Sequence, residues 1–589
     1  MRARRVLWCV LFFVPALYLV TLSAPPAADA GEMVTVRAKK VDGTVVEKQM
    51  ENPKYGGVLV EGHASDPAIF DQSFGHLWYA PTLRLTNEGL VSGDWTKGPI
   101  GTGEASWIYA SMLQAQALST GCLAEKWEIP DNTTVIYHIR KGVHFHKKEP
   151  VNGRELDAHD VVFTHKYLWA NSKSLFYKGY EYESMEARDK WTVVVKCLPK
   201  HIFAFWRASG GYSAIIPKDL IDKYGDMGDW ERSCGTGPFM LTDYVKGSSA
   251  TFVKNPDYWM KDPLVPHNRL PYLEGVKWLI IPDLSTRIAA LRTKKLDVLR
   301  DVNWEEAGNL TKTSPGLRYT EYPTGSAPCI WMRVDKPDIP TYDKRVRHAL
   351  CLAVDNQAIA DHFYGGKAEI LSWPKGPIPE HSDIYVPLDK LPESTRMLYE
   401  YHPERAKALL AEAGYPNGFK VQIPCSSVGE SVDLLSIVKQ SWAKIGVELE
   451  INALEAGAYS SIANTQPRKY DQMLMGGANM VTGSMYSYLS VGNMTNYAMV
   501  NDEYLNKMEV KVESAFPDET KQNAFFREIT PYVLDLAILV QFPAPKLYNF
   551  WQPWIKNYHG EYAVGYGAFM GDFPRYVWFD EQMKAKGQS

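Results

Sequence analysis

LAEKWEIPDNTTVIYHIRKGVHFHKKEPVNGRELDAHDVVFT, residues 123–164, decides the fold. It reads strand, turn, strand, loop, helix. Pro130, Asp131 and Asn132 carry turn chemistry, and Thr134 to Ile139 alternates polar with apolar and β-branched residues as a half-buried strand does. Lys141-Gly142 turns the chain into a second short strand. Asp157 stands where a helix N-cap belongs, and Asp160 follows at capping-box spacing ahead of Val161, Val162 and Phe163.

Outward from that block, further landmarks follow in order. Tyr55 to Val60 reads as a first strand, with Asp66-Pro67 after it. Ile215-Ile216-Pro217-Lys218, Gly235-Thr236-Gly237-Pro238-Phe239 and Asn255-Pro256-Asp257-Tyr258-Trp259 come next. Pro271 to Val276 leads into a strand over 277–282, and Ser285 to Leu296 has the pattern of an amphipathic helix. Asp343 to Leu350, with Ala353, Val354 and Asp355, forms another helical segment. The helix opening at Pro403 places proline in its first turn, Ala406, Leu409, Leu410 and Ala413 on one face, and Gly414 just past its end. These are scaffold features. Alternation of short strands with helices marks a mixed α/β chain.

The ordered set closely resembles the signature of the family 5 solute-binding proteins, receptors that feed peptides, nickel and other solutes to ABC importers. In that family the central block runs LAESW, a hairpin, RKGVKFHDG, then a helix near AEDVVFS. The resemblance implies the large two-lobe periplasmic-binding-protein fold of class II type, an α/β architecture with a cleft between the lobes and a two-strand hinge. It implies capture of a small-molecule or peptide ligand by lobe closure, delivery to ABC permease membrane subunits, and action as a monomer without cofactor or catalytic group. On that template residues 31–285 are the first part of lobe I, 286–535 lobe II and 536–589 the return to lobe I. Hinge crossings are expected near Pro282 to Thr286 and near Pro531 to Gln541, with Leu539 to Phe542 as the strand that returns to lobe I.

Residues 1–30 read as a secretory signal peptide: Arg2, Arg4 and Arg5, an apolar core from Val6 to Leu22, and an A-x-A site at Ala28 to Ala30. Pro15 interrupts the apolar run, which is shorter than the ~20 residues of a membrane span. The expectation is a free periplasmic protein beginning near Gly31. Removing Arg2, Arg4, Arg5 and Asp29 moves the formal charge from −4 to −6, so nucleic acid is a poor partner. With 45% apolar and 22% charged residues the chain is globular, and long enough for two or three cores. Six cysteines remain, none in C-x-x-C spacing; one or two disulfides and buried free thiols are both open.

No H-E-x-x-H, G-x-S-x-G, phosphate loop or G-x-G-x-x-G is present. His144 and His146, two apart on an expected strand, would share a face, but two histidines without a third ligand do not define a metal site, and none is assigned. Carboxylates suited to general acid and base work are abundant in a chain of this size, which keeps a periplasmic glycoside hydrolase as the alternative of another class.

The chief departure from the family lies between Asp471 and Asp502. Peptide-binding members carry Gly-Trp and, three residues later, an aspartate that pairs with the peptide ammonium. Here both are absent, and Gln472 to Asn501 holds six methionines and no charged side chain. That stretch favours polar and soft contacts through Asn479, Met480, Thr482, Ser484 and Tyr486, with Trp78, Tyr79, Trp107 and Trp373 as rings that could stack on ligand. Glu455 or Asp433 stands as a substitute acid. The ligand reading is a peptide or peptide-like solute, with an oligosaccharide or amino-acid conjugate as the neutral alternative. Di- to pentapeptides with a free N-terminus are expected to bind weakly or not at all, and Met480→Asp to improve their binding.

Overall fold

The computed structural model describes residues 32–74, 80–108, 115–174, 176, 182–198, 201–465, 467–479, 489, 491, 495–565 and 572–588. The expected signal peptide lies outside these residues. Among the described residues no helix is long and apolar enough to cross a membrane.

The chain begins with a hairpin that the landmarks did not include. β1 (Met33–Lys39) and β2 (Val45–Glu51) pair antiparallel, and Gly43, at φ +92°, supplies the left-handed residue their turn requires. β3 (Val58–His63) follows. The deciding stretch forms β4 (Ala124–Asp131), β5 (Thr134–Ile139) and α1 (Ala158–Ala170). Its capping box is complete: Asp157 accepts from the His159 N–H at 2.8 Å, and Asp160 accepts from the Asp157 N–H at 3.2 Å. Arg154 locks the arrangement by gripping Asp160 with both terminal nitrogens, at 2.6 and 2.8 Å, while its Nε donates to Asp219 at 2.9 Å. The second short strand after Gly142 is reduced to one bridge, His144 to Glu155. β6 (Tyr182–Asp189) and β7 (Thr192–Cys197) complete a four-stranded sheet of order β4-β5-β7-β6, and α2 (Ile202–Gly211) packs beside it.

Three more strands, β8 (Phe239–Val245), β9 (Ser249–Lys254) and β10 (Gly275–Ile280), lead to α3 (Leu284–Arg292), β11 (Val298–Asn303) and β12 (Arg318–Pro323). β10 and β11 both pair parallel with β3, so the helix between them is the crossover of a βαβ unit. The chain therefore leaves this sheet at Pro323, and the expected first crossing at Pro282 to Thr286 is instead the start of that crossover. Parallel pairing demands such a connection, and only the register with β3 reveals it.

Next come β13 (Ser326–Met332), α4 (Lys344–Leu352), α5 (Pro403–Glu412), β14 (Lys420–Ser426), α6 (Ser431–Ala443), β15 (Glu448–Leu454), α7 (Ala456–Ala463) and β16 (Met473–Asn479). α8 (Glu503–Ala515), α9 (Glu519–Asp535), β17 (Leu539–Gln541) and β18 (Ala544–Trp551) follow. β16, β13 and β17 form one antiparallel sheet, and β14 pairs parallel with β15. These strands and helices share one apolar core around Trp331, Trp373 and Trp442. The return comes one strand later than expected. β17 stays with β13, and β18 is the strand that enters the large sheet, whose order is β8-β9-β10-β3-β11-β18-β12.

Among the described residues all six cysteines are buried free thiols. Close backbone contact ties the C-terminal segment down. A Cβ on Gly93 would lie 2.4 Å from the Gly565 nitrogen, and Gly565 itself sits at φ +103°, so both positions require glycine.

Candidate functional site at the seam between two bodies

Two bodies of secondary structure meet along a seam: the large and four-stranded sheets on one side, the β13–β17 core on the other. Three carboxylates from the second body accept hydrogen bonds from backbone N–H groups of the first. Glu380 takes Ser106 N–H at 2.7 Å, the Ser106 hydroxyl at 2.7 Å and Trp107 N–H at 3.1 Å. Glu519, in the first turn of α9, accepts from Gln116 N–H and, at 3.1 Å, from Ala117 N–H. Glu513, near the end of α8, accepts from Ala204 N–H of α2 at 3.2 Å. Phe516 joins the same contact, with ring centroids 5.0 Å from Phe203 and 5.2 Å from Trp206.

Each of these carboxyls is raised above its ordinary range, in every case chiefly by burial. Glu513 is pushed to about 7, its hydrogen bond from Ala204 and the Arg207 charge offsetting part of the effect. The folded protein thus holds on its Glu513 carboxyl a proton that the unfolded chain releases near 4.5. The resulting penalty is absent below the unfolded value, grows as pH rises, and is complete above about 7, on the order of 3 kcal/mol. Glu513→Gln should therefore raise the melting temperature at about pH 8 and leave it unchanged at about pH 4, where the native side chain is already neutral. A gain of equal size at both pH values in a thermal-melt series, or a loss at the higher one, would contradict this.

Trp107 is the knot of the seam. It is buried, holds φ +53°, donates its N–H to Glu380, and accepts from Tyr562 and Ala563 N–H at 2.6 and 3.1 Å. A left-handed tryptophan persists only where its surroundings over-determine it. Trp373 is 1% exposed and meets Trp331 edge-on at 6.0 Å, inside the second core. Asn479 ends β16, exposed, opposite Ser326 of β13. Trp78, Tyr79, Met480, Thr482, Ser484 and Tyr486 lie outside the described residues, so of the nine expected site residues the structure places Asn479, Trp107 and Trp373, and at separate points.

Of the two substitute acids, Glu455 is occupied as the N-cap of α7, accepting from Gly457 and Ala458 N–H at 2.9 and 3.3 Å. The histidine pair does not form. His144 is exposed and bonds the Gly153 carbonyl, whereas His146 is buried, bonds the Gly237 carbonyl at 3.0 Å and is held down to about 4 by burial. Without a regular strand there, the two rings have no common face. Among the described residues no group of three metal-ligating side chains gathers. Sequence reasoning missed Glu380, Glu513 and Glu519, whose importance arises from contacts with residues 274, 309 and more than 400 positions away.

Mixed α/β sheets in two bodies joined by two adjacent connections, meeting along a polar seam, define a ligand-enclosing binding protein. The model for the bacterial extracellular solute-binding proteins, family 5 Middle, matches residues 120–498, and the chain belongs to that family. Heme-binding protein A of Haemophilus influenzae is 30% identical over 369 residues, 58% of this chain and 63% of that protein. The dipeptide-binding protein of Escherichia coli is 28% identical over 430 residues, 67% of this chain and 76% of that protein. The periplasmic binding protein DppA of Helicobacter pylori, solved with peptide STSA, superposes with a TM-score of 0.68 at 23% identity, covering 90% of this chain and 99% of that one. At that identity the likeness is one of fold.

Proposed function

We propose that this protein is a periplasmic receptor of an ABC importer, exported through a cleaved signal peptide, that encloses a peptide or peptide-like solute between its lobes and passes it unchanged to membrane permease subunits. Residues 32–323 and 544–588 form lobe I, residues 326–541 form lobe II, and the short connections on either side of β13 and β17 are the hinge. The observation that carries this reading is the seam. Its hydrogen bonds join backbone of one lobe to side chains of the other, so they form on closure and are surrendered to water on opening. The dipeptide-binding relatives support the choice of solute class.

Closure by ligand is then a shift in population: a solute that touches both lobes binds only the closed form and stabilises it. Mass action gives about 2.7 kcal/mol of added stability at a hundredfold excess over the dissociation constant. A thermal-shift screen across di- to pentapeptides, sugars, heme and metal ions, followed by mass spectrometry of the recovered ligand, tests the function. The expected result is a stabilising peptide recovered intact. Cleavage of the ligand, or stabilisation by no peptide at all, would overturn it.

A further inference from the structure

A cavity of about 490 Å³ opens on lobe I at the end away from the hinge. β18 leaves the hinge side at Ala544 and ends at Trp551, and β12 runs back beside it from Arg318 to Pro323. The cavity lies at the Trp551 end, bounded by Gly316-Leu317 ahead of β12 and by Gln552-Pro553-Trp554 after β18. The length of an eight-residue strand, roughly 25 Å, therefore separates it from the hinge. Its volume falls within the roughly 300–1,000 Å³ of small-molecule sites. Leu291, Leu317, Trp554 and Met583 make an apolar floor. Arg292, Lys294 and Lys586 stand exposed around it, and no aspartate or glutamate is among the described lining residues. Asp297, buried beside Trp554, is already engaged: it accepts from Trp554 Nε1 at 2.8 Å and Val60 N–H at 2.9 Å, and faces Lys584 Nζ at 3.7 Å. Part of the positive charge answers the backbone. α3 ends at Arg292, the helices Trp304–Thr313 and Glu581–Gln588 end beside the same cavity, and each C-terminus carries about half a negative charge. Three such termini offset about half of three full positive charges, which leaves a surplus. Lys294 also holds φ +63° in the closing turn of α3, where glycine is the usual residue, and its Nζ donates to the Gly587 carbonyl, tying the C-terminal helix to α3.

We propose that this cavity is a second binding site, one that takes an amphipathic anion: a charged head held among Arg292, Lys294 and Lys586, on an aliphatic chain that lies along Leu291, Leu317 and Met583. The surplus charge selects the head, and the apolar floor rewards the chain. Methionine and leucine walls adapt to a flexible alkyl group. Every described lining residue belongs to lobe I, so occupancy does not require the lobes to close and is independent of the enclosed solute. Free fatty acids and anionic membrane lipids share this chemistry.

Octanoate, octanol and octylammonium present one chain with three head charges. Calorimetry at low ionic strength should show octanoate binding at least about tenfold more tightly than octanol, the share of a charge-assisted hydrogen bond, with octylammonium weakest. The advantage of octanoate should shrink as salt is added. Arg292→Gln combined with Lys294→Gln should bring octanoate down to the affinity of octanol, and Met583→Glu should weaken octanoate by setting a like charge on the floor. Neither variant should change the stabilisation given by the solute of the thermal-shift screen. Equal affinities for the three probes, no binding of octanoate, or a preference that survives the double variant overturns the proposal. Loss of the solute response in both variants overturns the independence of the two sites. Co-sedimentation with phosphatidylglycerol vesicles, set against phosphatidylcholine vesicles, separates the sources. Phosphatidylglycerol binding that the double variant abolishes assigns the head to a membrane lipid, and octanoate binding without vesicle binding assigns it to a free fatty acid.

Discussion

Arg575→Met is expected to cost about 3–5 kcal/mol of folding stability, the usual penalty for removing one partner of a buried ion pair. The Arg575 side chain is 2% exposed and reaches Glu88 and Asp572, each at 3.3 Å, and the Tyr258 hydroxyl at 3.2 Å. Glu88 in turn accepts from Tyr258 at 2.7 Å, Trp259 at 2.9 Å and Thr236 at 3.0 Å. This network pins the C-terminal segment to residues nearly 500 positions earlier. Burial already lifts Asp572 to about 6 against the pull of Arg575. Without the guanidinium the Asp572 carboxyl rises further, so the folded variant binds a proton that the unfolded chain has released. The loss should consequently be larger at about pH 8 than at about pH 5. Guanidinium-chloride unfolding at the two pH values is the measurement. A loss below about 1 kcal/mol, or one independent of pH, would show that the network is not the tie it is taken to be.

Trp373→Ala should cost a similar amount, about 3–5 kcal/mol, through the cavity it opens against Trp331 in the second core. The ring was expected from sequence as a surface for ligand, and the two roles part cleanly in experiment. A core tryptophan lowers the melting temperature with or without solute, and whatever folded variant remains binds normally. A stacking tryptophan leaves the melting temperature of the free protein unchanged and weakens the solute. Denaturant unfolding beside calorimetry on the same variant separates them.

What the sequence made legible was local. Asp157 and Asp160 announced a helix start that the structure reproduces as a full capping box, and Pro403 with Gly414 bracketed α5 within a residue or two. The β1–β2 hairpin was readable in the same way, since Asp42-Gly43 separates two alternating runs, but it lay outside the landmarks being followed. Strand pairing across the chain is not legible in that way. Nothing in Pro282 to Thr286 distinguishes a hinge from a crossover; the distinction lies in the pairing of β11 with β3 and β18, far away in the chain. Glu380 and Glu513 carry no local signal in the sequence, and only the opposing backbone of Ser106, Trp107 and Ala204 makes them seam contacts.

Lobe closure is the centre of the account, and small-angle scattering of the protein, free and saturated with the solute found by the thermal-shift screen, tests it most directly. Closure brings Glu380, Glu513 and Glu519 onto lobe I, so the saturated protein should show a smaller radius of gyration than the free one. Identical scattering profiles in the two states, with binding confirmed in the same samples, would contradict it.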